Sequence, residues 1–291
     1  MKGRIAKTLF FLVALALGAA LFAFLIWKSG AAETYESLLA FGVLPCAGFV
    51  LISLTNFTLY SLRWQIIVND MVLPSQRVPL AKIFMHRMSG FAAGYLTPAS
   101  QVAGEPVRVA MLRAEGIPLK EATGSVILDL AFEISAVVAF IISGIILAVS
   151  EGLGSGDALM GAAGFIGFLV VVLIAFFWRI AMVLAGIVLL SVVMVSFKAV
   201  EAFFIAYFFD VTLSIRDTFL LATLPGIVLL LPVPAGLGVY EGSNAAIFSL
   251  LGLKLNAVAY TAIIRIRDFV FIALGVTHAV RHGEKLFAKP T

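Results

Sequence analysis

From Ala158 to Trp178 the chain carries no charged, amide or hydroxyl side chain. A helix needs about 20 such residues to cross the hydrocarbon of a bilayer. Five more stretches approach that standard: 8–27, 38–62, 121–149, 181–209 and 256–280. Charged residues make up 12% of the chain, against about 25% in an average soluble domain, and 62% of it is apolar. Too few polar groups remain to cover a water-soluble surface. The alternating segments of a membrane barrel are absent. The expected fold class is therefore an all-α, polytopic membrane protein, a single domain over 1–291. Collagen, coiled-coil, disordered and nucleic-acid-binding chains are excluded.

Basic residues orient the spans. Lys2, Arg4 and Lys7 place the N-terminus inside, and Arg281, Lys285 and Lys289 place the C-terminus there too. Arg63, Arg77, Lys82 and Arg87 read as a cytoplasmic loop after the second span, with Arg108, Arg113 and Lys120 beyond it. Six spans with both ends in the cytoplasm of an inner membrane satisfy this pattern. The stretch 8–27 exceeds the apolar core of a secretory signal and reads as a retained helix. Cys46 is the sole cysteine, so no intrachain disulfide forms. Neither a metal-ligand motif nor a nucleotide-binding loop is present, and no cofactor is expected.

Two regions, 79–116 and 217–252, are too short and too broken to span. Each joins two short apolar segments through a Pro/Gly break, at Pro98 and Gly104 in the first and at Pro232, Pro234, Gly236 and Gly238 in the second. Broken backbone is tolerated at membrane depth only where protein or a wet cavity satisfies it. The expectation is two re-entrant helical hairpins, the first entering from inside and the second from outside. They also match each other. Pro98-Ala99 precedes Glu105 and Pro234-Ala235 precedes Glu241, at one spacing and 136 positions apart. The same offset pairs Gly116 with Gly252 and Asp129 with Arg265. Opposed topology makes this an inverted repeat with halves at 38–149 and 181–280, the arrangement that builds a midplane site from discontinuous helices.

Ionisable groups within the spans and the re-entrant hairpins are the candidate site, since each costs about 2.5–3.5 kcal/mol near the bilayer centre on an insertion scale. They are Glu105, Arg108, Asp129, Glu133, Glu241, Arg265 and Asp268. Asp129 and Glu133 share a helix face. Arg108 suits bidentate phosphate contact, and equally a cytoplasmic anchor. Lys198 with Glu201, or Arg265 with Asp268, would serve as structural ion pairs, and Arg267 would snorkel. Helices restarting after Gly104 and Gly238 would turn anion-attracting N-termini inward; the same glycines equally suit close hairpin packing.

The run Gly104-Glu-Pro-Val-Arg108, then Gly116-Ile-Pro-Leu-Lys-Glu-Ala122 and Asp129, resembles the first half of the lysylphosphatidylglycerol synthase transmembrane region, the flippase-like UPF0104 family. Leu231-Pro-Val-Pro-Ala-Gly-Leu-Gly-Val-Tyr-Glu-Gly242, with Ala259 to Arg265, resembles its second half. Departures are Val102-Ala103-Gly104-Glu105 where the family usually carries Gly-Gly before the acidic residue, Leu130 where an Arg often follows the aspartate, and a basic linker cut to Trp178-Arg179. The resemblance implies a lipid translocase rather than an enzyme, with a membrane lipid of anionic or phosphate-bearing headgroup as its partner, and a homodimer. No lysyl-lipid synthesis is expected of this chain. A proton or ion gradient acting through the carboxylates would energise transport; passive movement is the alternative. A membrane scaffold for a lipid-modifying system, or an intramembrane lipid-modifying enzyme, are the competing readings.

Overall fold

The computed structural model describes residues 23–28, 30–96, 104–150, 152, 181–226 and 236–287. The expected span 158–178, most of the helix 8–27, the Trp178-Arg179 linker and the hinge residues Pro98, Pro232 and Pro234 lie outside the described residues. Within them the chain is helical, without strands. The helices are α1 (Ala31–Phe41), α2 (Val43–Met71), α3 (Leu80–Leu96), α4 (Gly104–Ala114), α5 (Leu119–Ser150), α6 (Ala181–Phe208), α7 (Ile215–Thr223), α8 (Val239–Leu250) and α9 (Ala257–Phe287).

The expected second span, 38–62, is corrected at both ends. Gly42 adopts φ 77° and separates α1 from α2, a conformation open to a residue with no Cβ. At the other end α2 runs on to Met71. Arg63 is thus not in a loop. It lies inside α2, wholly buried, and Arg87 lies buried inside α3. A hydropathy window ends a span at the first arginine, whereas the helix ends where its backbone partners run out. Beyond Met71 the Asn69 amide brackets Val78, accepting from its N–H at 2.9 Å and donating to its carbonyl at 3.2 Å.

Among the described residues, three helical segments are long and apolar enough to cross a membrane: α2, α5 and Leu189–Phe208 of α6. Large apolar side chains point outward on them, including Leu44 and Leu51 on α2, Ile127 and Ile146 on α5 and Leu189 and Phe203 on α6. The charged side chains of Arg63 on α2, Asp129 on α5 and Glu201 on α6 are buried. That inside-out distribution suits hydrocarbon as solvent.

Two apolar cores sit at opposite ends. One gathers Phe49 of α2, Ile141 and Ile145 of α5, Ile205 of α6, Leu220 of α7, Phe248 of α8 and Ile263 of α9. The other gathers Trp64 and Val68 of α2, Ile83 of α3, Leu112 of α4 and Ala122 and Val126 of α5. Helices α2 and α5 therefore run antiparallel. The short pair α3–α4 is rooted in the second core and the short pair α7–α8 in the first. Along α5 the order is Val126, Asp129, Glu133, Val138, so Asp129 and Glu133 fall between the two cores.

The order long, short, short, long occurs twice. Helices starting at 43, 80, 104 and 119 are followed by helices starting at 181, 215, 239 and 257. The correspondence extends to the caps. After α4, Ile117 N–H donates to Leu112 O at 3.2 Å around Gly116 (φ 88°); after α8, Leu253 N–H donates to Phe248 O at 2.8 Å around Gly252 (φ 66°). Both are Schellman closures.

Glycine contacts set the packing of α3. A Cβ on Gly104 would collide with the Gly90 carbonyl, and one on Gly275 of α9 with the Met88 carbonyl. These close approaches hold α3 between α4 and α9. Near the second core, His86 Nδ1 lies 3.2 Å from His278 Nε2, a further tie between α3 and α9.

Candidate functional site

Asp129 is the hub of a buried charge cluster drawn from four helices. Its Oδ1 accepts from Arg63 Nε at 2.8 Å, and its Oδ2 accepts from Arg87 at 2.6 Å and from Arg108. Arg63 also donates to the Asp129 carbonyl at 3.1 Å, to Glu133 at 3.2 Å and to Ser191 Oγ of α6 at 3.2 Å. Arg87 reaches Glu133 as well, and Arg108 donates to Glu105 at 2.8 Å. Three guanidinium groups meet three carboxylates, so the cluster is neutral. Aromatic faces complete it: Arg108 Cζ lies 4.0 Å from the Trp64 ring centroid, and Tyr60 lies 5.4 Å from Arg63 and 5.1 Å from Arg87. Such contacts favour a desolvated cation. Asp129 is fully enclosed, while the Glu133 and Glu105 side chains keep 30% and 21% of their surface. Any exchange of partners therefore starts at the glutamates.

The order of the chain explains this assembly. Asp129 and Glu133 stack one turn apart on α5. Glu105 and Arg108 are likewise one turn apart on α4, which the Gly90–Gly104 contact presses against α3 and Arg87.

A second cluster surrounds Arg265 of α9. Its guanidinium donates to Glu241 Oε1 of α8 at 3.2 and 2.9 Å and to the Tyr95 hydroxyl of α3 at 2.7 Å. Arg267 bonds its neighbour Asp268 at 2.8 Å and reaches Glu201 of α6 at 3.4 Å; Ser53 of α2 donates to Glu201 at 2.8 Å. Helix α3 thus joins both clusters, with Arg87 in the first and Tyr95 in the second.

Two expected ion pairs are replaced. Asp268 pairs with Arg267, not Arg265, and the described partners of Glu201 are Ser53 and Arg267, not Lys198. Arg267 is packed between Phe49 and Phe271 with its charge met by carboxylates, so it does not snorkel. The repeat relation holds in an altered form. Glu105 and Glu241 are each bound to an arginine, but that arginine stands three residues on in the first half (Arg108) and on the next helix in the second (Arg265). The equivalents of Arg108 and Asp129 are Asn244 and Arg265.

The family described as the lysylphosphatidylglycerol synthase TM region matches residues 11–184 and 180–275. The chain belongs to this family. No curated protein and no solved structure matches it. Family membership and the outward apolar helices make this a membrane protein of lipid metabolism or translocation. Against the sequence-based set for a family member, the residues missed are Arg63, Arg87, Ser191 and Tyr95. One signal was available for Arg63: Ile66-Ile67-Val68 resumes the apolar helix beyond it. For Arg87 the signal was charge balance, since three carboxylates buried in lipid need more than Arg108 to offset them.

Proposed function

We propose that this chain is a lipid translocase of the cytoplasmic membrane. It moves a lipid with an anionic, phosphate-bearing headgroup between leaflets and leaves the lipid chemically unchanged. The pairs α3–α4 and α7–α8 act as re-entrant hairpins of an inverted repeat, entering from the cytoplasmic and outer faces, with both termini cytoplasmic. One observation carries the reading: in each half a short helix carries a glutamate that is paired with an arginine inside the helix bundle, Glu105 with Arg108 and Glu241 with Arg265. A headgroup phosphate competes for the same guanidinium groups. Guanidinium binds carboxylate and phosphate with the same planar fork, so one replaces the other without unpairing the cation. The acyl chains stay in lipid throughout.

Headgroup accessibility in proteoliposomes tests this. Arg265→Ala should abolish translocation of a fluorescent phosphate-headgroup lipid while the purified protein keeps its helical content. Undiminished translocation by that variant overturns the assignment of Arg265 to the headgroup.

A further inference from the structure

Glu241 has one satisfied oxygen and one that is not. Its Oε1 takes both bonds from Arg265, whereas Oε2 is buried and meets no donor among the described residues. One turn further along the same face of α8, the Asn244 amide donates to Tyr240 O at 3.0 Å, which leaves its Oδ1 buried without a donor too. Glu241 is 0% exposed and Asn244 1%. Two acceptor oxygens stacked at i and i+3 share one deficiency, and the missing partner is a donor. The first half shows what fills this place. There the position of Asn244 is held by Arg108, which donates to Glu105. The second half has the carboxylate but no guanidinium at that position. Its hydrogen-bonded charges, Arg265 and Arg267 against Glu201, Glu241 and Asp268, leave one carboxylate in excess.

We propose that Glu241 and Asn244 form a proton site that couples headgroup movement to a proton gradient. The inference rests on the translocase reading above. When the headgroup phosphate takes Arg265, Glu241 gives up its guanidinium. It then accepts one proton from the aqueous phase on Oε2, and the new O–H donates to Asn244 Oδ1. The phosphate's charge is met by Arg265 and that of Glu241 by the proton, so the exchange leaves the net charge of the cluster unchanged. Two oxygens are too few for a hard metal cation, which takes about six. One proton needs only one oxygen to bind it and one to accept from it. Arg265 of α9 pairs with Glu241 directly, and Tyr95 of α3 and Tyr240 of α8 lie against the same guanidinium; Arg267 and Asp268 of α9 and Glu201 of α6 form the adjoining set of ion pairs. Of these, Glu241 is the carboxylate with a donorless buried oxygen and a second donorless acceptor one turn along its own helix.

The test uses the full chain in proteoliposomes holding a fluorescent phosphate-headgroup lipid, with the steady-state leaflet ratio read by an impermeant quencher. One coupled proton should shift that ratio about tenfold per unit of imposed pH difference. Glu241→Gln, neutral at every pH, should lose that response. Asn244→Leu removes the acceptor that favours the protonated form, and should move the pH midpoint of transport about one unit down. A wild-type ratio indifferent to pH, or one that follows a sodium gradient instead, overturns the proposal and leaves the translocase reading standing. So does a Glu241→Gln variant with the wild-type response. Should that variant be inactive, an unmoved midpoint in Asn244→Leu overturns it. Absence of any lipid movement by the wild type removes both.

Discussion

Asp129 accepts from three guanidinium groups, so neutralising it strands charge rather than deleting one ion pair. Removing one partner of a buried pair costs about 3–5 kcal/mol, because the other partner stays desolvated. Asp129→Asn should therefore lower stability by about that amount, read as a fall in unfolding midpoint in detergent. Arg63→Met in the same chain restores charge balance and should recover part of the loss. Additive losses in the double variant would show that the two groups do not share a network. This residue was legible in the sequence, because an aspartate in an apolar run stands out against its cost in lipid. Its partners were not. Arg63 and Arg87 flank a hydrophilic stretch, and a charge read by position along the chain falls to the nearest loop. Nothing in one sequence states that α2, α3, α4 and α5 converge on one carboxylate. The Arg267–Asp268 pair was hidden for a related reason: adjacent residues on a helix point apart, but Arg267 is long enough to fold back.

At the scale of the helices, the punctuation of the chain proved informative because it acts locally. Gly116 and Gly252 close α4 and α8 through equivalent hydrogen bonds, and their spacing is visible in the sequence. The break at Gly42 was missed, since one glycine between apolar residues resembles any packing glycine until its φ is known. Packing glycines make their own prediction. Gly104 touches Gly90 backbone to backbone, so a methyl group there has no flexible side chain to displace. Gly104→Ala should push α4 away from α3 and shift Arg108 off Asp129, at about 1–3 kcal/mol for an overpacked contact. Gly116→Ala meets open space and carries only the strain of a left-handed backbone, about 1 kcal/mol. The two substitutions separate in a thermal melt of purified protein, with Gly104→Ala the more damaging. The reverse order would mean that the α3–α4 contact is not what fixes the site.

For the whole molecule, the proposed re-entrant hairpins would take their direction of entry from the two apolar cores. Ile83 and Leu112 root α3 and α4 in the core that contains Trp64, and Leu220 and Phe248 root α7 and α8 in the core that contains Phe49. These cores occupy opposite ends of α2 and α5, so with a bilayer normal along those helices the proposed hairpins would enter from opposite faces. Positive charge then decides which face is which. Arg113 follows the Trp64 end on α4, and Ile215 opens α7 at the Phe49 end; both are exposed. Cys46 is the sole native cysteine, so Cys46→Ser provides a background without thiols. In that background Arg113→Cys should react with an impermeant maleimide from the cytoplasmic side alone, and Ile215→Cys from the outer side alone. Intact cells, with inside-out vesicles as the complement, report each side separately. Labelling of both positions from one side would place both hairpins on the same face. The two glutamate–arginine pairs could not then present a headgroup to the two leaflets in turn, and alternating access between inverted halves would fail with them.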